Sequence, residues 1–188
     1  MVSLAALWLP IILSAVLVFV ASTLVHMVLK YHASDYTKLS NEDAVRAALQ
    51  SGKPEPRQYV IPYASGPAEM KSPEWQKKYT DGPNVVLNIK APGPLTMGSS
   101  MTQWFVFTLV VSVLVAYVAS GSIFWGAPFR HVFRVVGMVA FLAYGAGQIP
   151  AAVWMGKPWS IAIKELMDAV IYGAVTAAAF AWAWPRGV

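Results

Sequence analysis

Residues 4–29 read LAALWLPIILSAVLVFVASTLVHMVL, 26 positions without one Asp, Glu, Lys or Arg, and Lys30 closes the run. As a helix rising about 1.5 Å per residue it reaches about 39 Å, longer than a ~30 Å hydrocarbon core, so it spans with tilt or with protruding ends. It is too long for a signal-peptide core and has no basic segment ahead of it, so it is read as a retained span. Working outward, residues 101–123, 132–154 and 159–184 have the same character, and the last two are joined only by residues 155–158, which makes them a hairpin. Seven of the eight Trp (Trp8, Trp104, Trp125, Trp154, Trp159, Trp182 and Trp184) fall near the ends of these four stretches, where an indole sits half wet. The expectation is an all-α transmembrane fold: an antiparallel four-helix membrane bundle divided as residues 1–30, an extramembrane segment 31–100, and three further spans within 101–188.

The composition agrees. Of 188 residues, 57% are apolar and 12% charged, which excludes a disordered chain and disfavours a soluble globule. The absence of Cys excludes disulfides, thiolate metal sites and cysteine nucleophiles. A net charge of +5 does not indicate nucleic acid, because the bases are interleaved with acids or sit at span ends. Among short connections, Arg130, Arg134 and Arg186 share a side with both termini, while Lys157 and the deeper Lys164 share the other with residues 31–100. The positive-inside rule therefore puts the termini in the cytoplasm, although Lys30 after an uncharged start argues the other way.

Residues 31–100 hold eight bases, seven acids and eight of the thirteen prolines. Ser40-Asn41-Glu42-Asp43 predicts a helix start with Ser40 as cap and Gly52 as stop. Ser72-Pro73-Glu74 predicts a second, with Pro73 in the first helical position. Tyr59-Val60-Ile61 and Val85-Val86-Leu87-Asn88-Ile89 are β candidates able to pair. The segment is read either as a spacer or as a recognition surface carrying Tyr59, Tyr63, Trp75 and Tyr79.

Two acids lie outside that segment: Glu165 and Asp168, both in the last span. Asp168 is nine residues, ~13 Å, from Trp159, near mid-membrane, where a lone charge costs ~3 kcal/mol on insertion scales. It must face other helices and find a partner or a proton, with Lys164 one turn away. Depth along the helices nominates His26, Gln103, Gln148, Lys164, Glu165 and Asp168 as one intramembrane polar cluster. Its structural reading is interhelical glue; its functional reading is a solute, ion or proton site. Small residues every four positions (Ala169, Gly173, Ala177, Ala181; Ala143, Gly147, Ala151; Ser112, Ala116, Ser120) predict close helix approach.

Haem between two histidines is not expected, because His26 and His131 lie at opposite ends and His26 and His32 do not share a helix face. His26, Glu165 and Asp168 could in principle form a metal site, but a shared depth alone does not assemble one. No hydrolase, P-loop or EF-hand pattern occurs. No metal or other cofactor is therefore expected, and no catalytic residue is assigned.

Leu39-Ser40-Asn41-Glu42-Asp43-Ala44-Val45, Tyr59-Val60-Ile61-Pro62 and the final Trp184-Pro185 resemble four-span inner-membrane proteins of bacteria to which no activity is assigned. The resemblance implies only a bacterial inner (plasma) membrane and carries over no site; the charge bias then puts the 31–100 segment on the periplasmic or extracellular side. The leading expectation is a non-catalytic accessory or scaffold protein in the lipid bilayer, meeting a protein partner or a second copy through the 31–100 segment or the small-residue faces. The alternatives are a small transporter or proton- or ion-conducting protein using Asp168, and a membrane enzyme acting on lipid.

Overall fold

The computed structural model describes residues 2–186; what was expected of Met1, Gly187 and Val188 lies outside the described residues. The chain forms two units, one of residues up to Asp35 together with those from Thr96 onward, the other Tyr36–Leu95.

In the first unit, Leu4–Val28, Met97–Ser122 and Phe129–Trp154 are long and apolar enough to cross a membrane. The first is helix α1 (Trp8–Thr23), entered through a 3-10 turn, Leu4–Leu7, whose Ala6 amide is capped by Ser3, and continued by a π turn, Leu24–Val28. The other unit carries helices α2 (Glu42–Ser51), α3 (Pro67–Met70) and α4 (Pro73–Asp81), so this unit's second long helix is α5 (Met97–Ser122). Phe129–Trp154 is not the single helix the sequence predicts. It consists of α6 (Phe129–Gly145) and α7 (Gln148–Trp154), broken at Ala146 and Gly147. Pro150 has no N–H to offer the Ala146 carbonyl, so the regular ladder fails one turn before it. Gly156, at φ 68°, then turns the chain into α8 (Trp159–Trp182).

Helix α8 packs against α6 and α1, and α5 packs against α1 and α6. The α8 stripe Ala169, Gly173, Ala177 and Ala181 is buried. Of the stripe expected on the third span, Ala143 and Gly147 are exposed instead and Ala151 is half-buried. α6 is turned to bury Val132, Val136, Ala140 and Tyr144, a four-residue repeat with more apolar surface to remove from solvent. That rotation brings Gly137 and Gly145 onto α8: a Cβ at Gly145 would lie 2.8 Å from the Ala169 Cβ. Between α1 and α5 the contact is polar and small, with Ser14 Oγ donating to Ser112 Oγ at 2.9 Å and Trp104 Nε1 to Ser22 Oγ at 2.8 Å. Leu7, Ile123, Val132, Val136 and Phe180 are fully buried. At one end, Val2 N donates to Ser120 O, Gly126 N to Pro185 O and Trp184 Nε1 to Phe124 O, gathering the first residues, the α5–α6 connection and the last residues.

In the second unit, α2 (Glu42–Ser51) starts one residue later than predicted: Asn41, not Ser40, holds the N-cap position, and no side chain caps it. Gly52 ends it as expected. Strands β1 (Gln58–Ile61) and β2 (Val85–Asn88) pair antiparallel with Tyr59 opposite Leu87. α3 (Pro67–Met70) precedes α4 (Pro73–Asp81), whose first turn is capped as read from sequence, Ser72 Oγ accepting from Trp75 N at 3.2 Å. Trp75 and Tyr79 stack one turn apart, centroids 4.9 Å. No residue of this unit is buried.

Candidate functional site

The end of α1 departs from regular helix twice. Leu29 N–H bonds back to the Leu24 carbonyl at 3.1 Å, the wide π spacing, which turns His26 toward α8. Lys30 is then left-handed, φ 52°, a conformation that costs an L-residue with a Cβ roughly 1–2 kcal/mol. The reversal feeds a 3-10 turn, Tyr31–Ser34, closed by Ala33 N to Lys30 O at 2.9 Å and Asp35 N to His32 O at 3.0 Å. As a result the residues after the span fold back over it instead of leaving.

What they fold back onto is Asp168, 5% exposed. Tyr31 Oη donates to Asp168 Oδ1, and His32 Nε2 lies 3.0 Å from Oδ2. The other ring nitrogen of His32, Nδ1, lies 2.5 Å from Asp35 Oδ2. Lys164 Nζ donates to Asp35 Oδ1 at 2.5 Å, to Ser34 Oγ at 2.8 Å and to the Tyr31 carbonyl at 2.8 Å. Hydrogen bonds from Lys164 first, and from His32 second, hold the Asp35 carboxyl below its ordinary range. The chain Asp168–His32–Asp35–Lys164 is thus a continuous line of ionisable groups, each with a polar partner on both sides or at a chain end.

His26 stands beside this line rather than in it. Its ring packs edge-on against His32, centroids 4.7 Å, and its Nε2 is 4.0 Å from Asp168 Oδ2 with the side chain 52% exposed. His26, His32 and Asp168 each present one donor atom, all within 4.8 Å of one another. His26 and His32 share no helix face, yet they meet, because the left-handed Lys30 puts His32 on another element altogether.

The six residues nominated from sequence separate into three places. His26 and Asp168 come together, and Lys164 joins them through Asp35, to which it is bonded in preference to Asp168. Gln148 and Glu165 instead share Lys157 Nζ, at 3.0 Å from Gln148 and in a closer pair with Glu165, at the α7–α8 turn. Gln103 is exposed and donates to Ser99 Oγ of its own helix. Tyr31, His32, Ser34 and Asp35 were missed. Depth bookkeeping places everything after Lys30 outside the span, and nothing in a lysine announces a left-handed turn. The one available signal was a short run, Tyr31-His32-Ala33-Ser34-Asp35, holding four hydrogen-bonding side chains directly after a span.

On the other side of Asp168 stands a cluster of aromatic rings. Tyr172, buried, rests edge-on against Tyr144 (5.5 Å) and Trp104 (6.1 Å), and its hydroxyl has no hydrogen-bond partner among the described residues. The buried interior of this unit holds Val18, Val115, Ala177 and Phe180 together with the hydroxyl side chains of Ser14, Thr108, Ser112 and Thr176. No family model, curated protein or solved structure matches this chain.

Proposed function

We propose that this chain is a non-catalytic integral membrane subunit whose Tyr36–Leu95 segment docks onto a partner protein. The carrying observation is that Tyr36–Leu95 has two well-formed helices and a strand pair yet no buried residue. Tyr36 is 91% exposed, and Val60, Ile61, Tyr63 and Tyr79 are exposed with it. Elements of this size are stable when their apolar faces are covered, and exposed aromatics are the residue type that interfaces use.

The four-span bundle is part of this proposal. Three helices qualify by length and composition, and α8 is read as the fourth because its outward face is Ile163, Met167, Val170, Ala174, Ala178 and Trp182, with Lys164, Glu165 and Asp168 turned off that face. A stripe of that composition suits lipid and not water. Arg130, Arg134 and Arg186 then support termini in the cytoplasm of a bacterial inner membrane, with Tyr36–Leu95 outside. A conducting role draws less support. Next to Asp168 stand the packed rings of Tyr172, Tyr144 and Trp104, and the buried hydroxyls of Thr176, Thr108, Ser14 and Ser112 bond to backbone carbonyls or to one another instead of forming a line to Asp168.

The test is purification of the native protein in mild detergent, with a photo-cross-linking residue at Tyr63. A stoichiometric protein cross-linked through that position supports the reading. A chain that runs alone, cross-links to nothing and carries proton flux in liposomes overturns it.

A further inference from the structure

We propose that His26, His32 and Asp168 bind a divalent first-row transition-metal ion such as Zn²⁺. Two imidazoles and one carboxylate are a donor set for such an ion, and with no Cys in the chain a thiolate site is excluded.

The spacing is that of ligands. Bonds of about 2.0–2.1 Å to a tetrahedral ion set its donors ~3.3 Å apart. His32 Nε2 and Asp168 Oδ2 are 3.0 Å apart, His26 Nε2 and Asp168 Oδ2 are 4.0 Å apart, and all three donors lie within 4.8 Å. Closing the remaining gap falls to His26, whose exposed ring has room to rotate. Its exposure also leaves the outer coordination position uncovered by the described residues, giving three protein ligands and one open site.

The surroundings are those of a supported site. A metal-ligating imidazole commonly donates its second N–H to a carboxylate, which fixes ring orientation and tautomer. His32 Nδ1 makes that contact with Asp35 at 2.5 Å, and Asp35 is itself held by Lys164. The second oxygen of Asp168 accepts from Tyr31. Thus both of the more buried ligands are already oriented by neighbours, and the cation among those neighbours is committed to Asp35. The backbone adds an independent observation. A π turn carries His26 and a left-handed lysine delivers His32, and such irregularities collect at functional sites because the regular helix would not place the side chains.

The test uses the full-length protein in detergent on a non-histidine tag, stripped with chelator and titrated with Zn²⁺ against a chromophoric competitor, with Co²⁺ absorption as a second readout. One ion per chain at micromolar Kd or tighter is expected, with a visible Co²⁺ band of low-symmetry coordination. His26→Gln is expected to weaken binding at least tenfold while leaving the metal-free melting temperature unchanged, since His26 stands outside the hydrogen-bonded line. Asp35→Asn is expected to weaken it about 10- to 100-fold, the usual effect of removing an outer carboxylate. Wild-type affinity in His26→Gln, or no stoichiometric binding at 100-fold over micromolar (about 0.1 mM) Zn²⁺, overturns the proposal.

Discussion

Replacing Gly145 with alanine drives a Cβ into the α6–α8 crossing. It would sit 2.8 Å from the Ala169 Cβ and 3.2 Å from Leu166 Cδ2. Carbon atoms settle at about 3.5–4.0 Å, so the helices must part by roughly 0.7 Å, and both contacts are on short or branched side chains with little room to yield. Overpacking of this kind costs about 1–3 kcal/mol, and alanine returns at most ~1 kcal/mol of helix propensity. The expected net loss is about 1 kcal/mol. Ala169→Gly alone also costs about 1 kcal/mol by propensity, but it removes the atom with which the new Cβ collides. The double variant should therefore stand near wild type, where independent effects would add to about 2 kcal/mol, a coupling of about 2 kcal/mol. Reversible unfolding in mixed detergent micelles, followed by Trp fluorescence, measures all four corners of the cycle. Gly147→Ala is the control, because a Cβ there meets nothing within 4 Å. Additivity within ~0.5 kcal/mol, or a Gly145→Ala variant no worse than Gly147→Ala, would refute the proposed crossing.

Asp168→Leu should strand the Tyr31 hydroxyl and His32, lower stability by roughly 2–3 kcal/mol and expose the chain after Lys30 to limited proteolysis, while Asp168→Asn, whose amide oxygen still accepts from Tyr31, should keep more than half of that. Equal melting temperatures for the two would count against the site as drawn. In the second unit, Ser65 donates its backbone N–H at 2.8 Å and its hydroxyl at 2.7 Å to Glu69, which holds that carboxyl below its ordinary 4.5. A lowered value in the fold means that the contribution is complete above pH 4.5 and is lost as pH falls through the folded value. The Ser65 amide resonance should therefore titrate below pH 4.5 and become flat in Glu69→Gln; a midpoint at or above 4.5 would contradict the contact.

What the sequence determined by itself is what adds up residue by residue. Charge-free length sets which segments qualify as spans, and tryptophans mark their ends, because the transfer cost of each side chain is local. Ser72-Pro73 could be read as a helix start, and Tyr59-Val60-Ile61 could be matched to Val85–Asn88, since caps and β propensity also act over a few residues. The burial of Asp168 was legible for the same reason: a carboxylate in an apolar helix has one tolerable direction. Its partners were not. Tyr31 and His32 reach it across 137 and 136 residues of chain, through a left-handed lysine whose cost of roughly 1–2 kcal/mol no local rule would accept. Only the tertiary contacts of the reversed segment offset that cost. The rotation of α6 was likewise not legible: the small-residue spacing pointed to Ala143 and Gly147, whereas the structure turns Gly137 and Gly145 onto α8. Rotation is settled by the total surface two helices remove together, a property of the pair that neither strand of sequence contains alone.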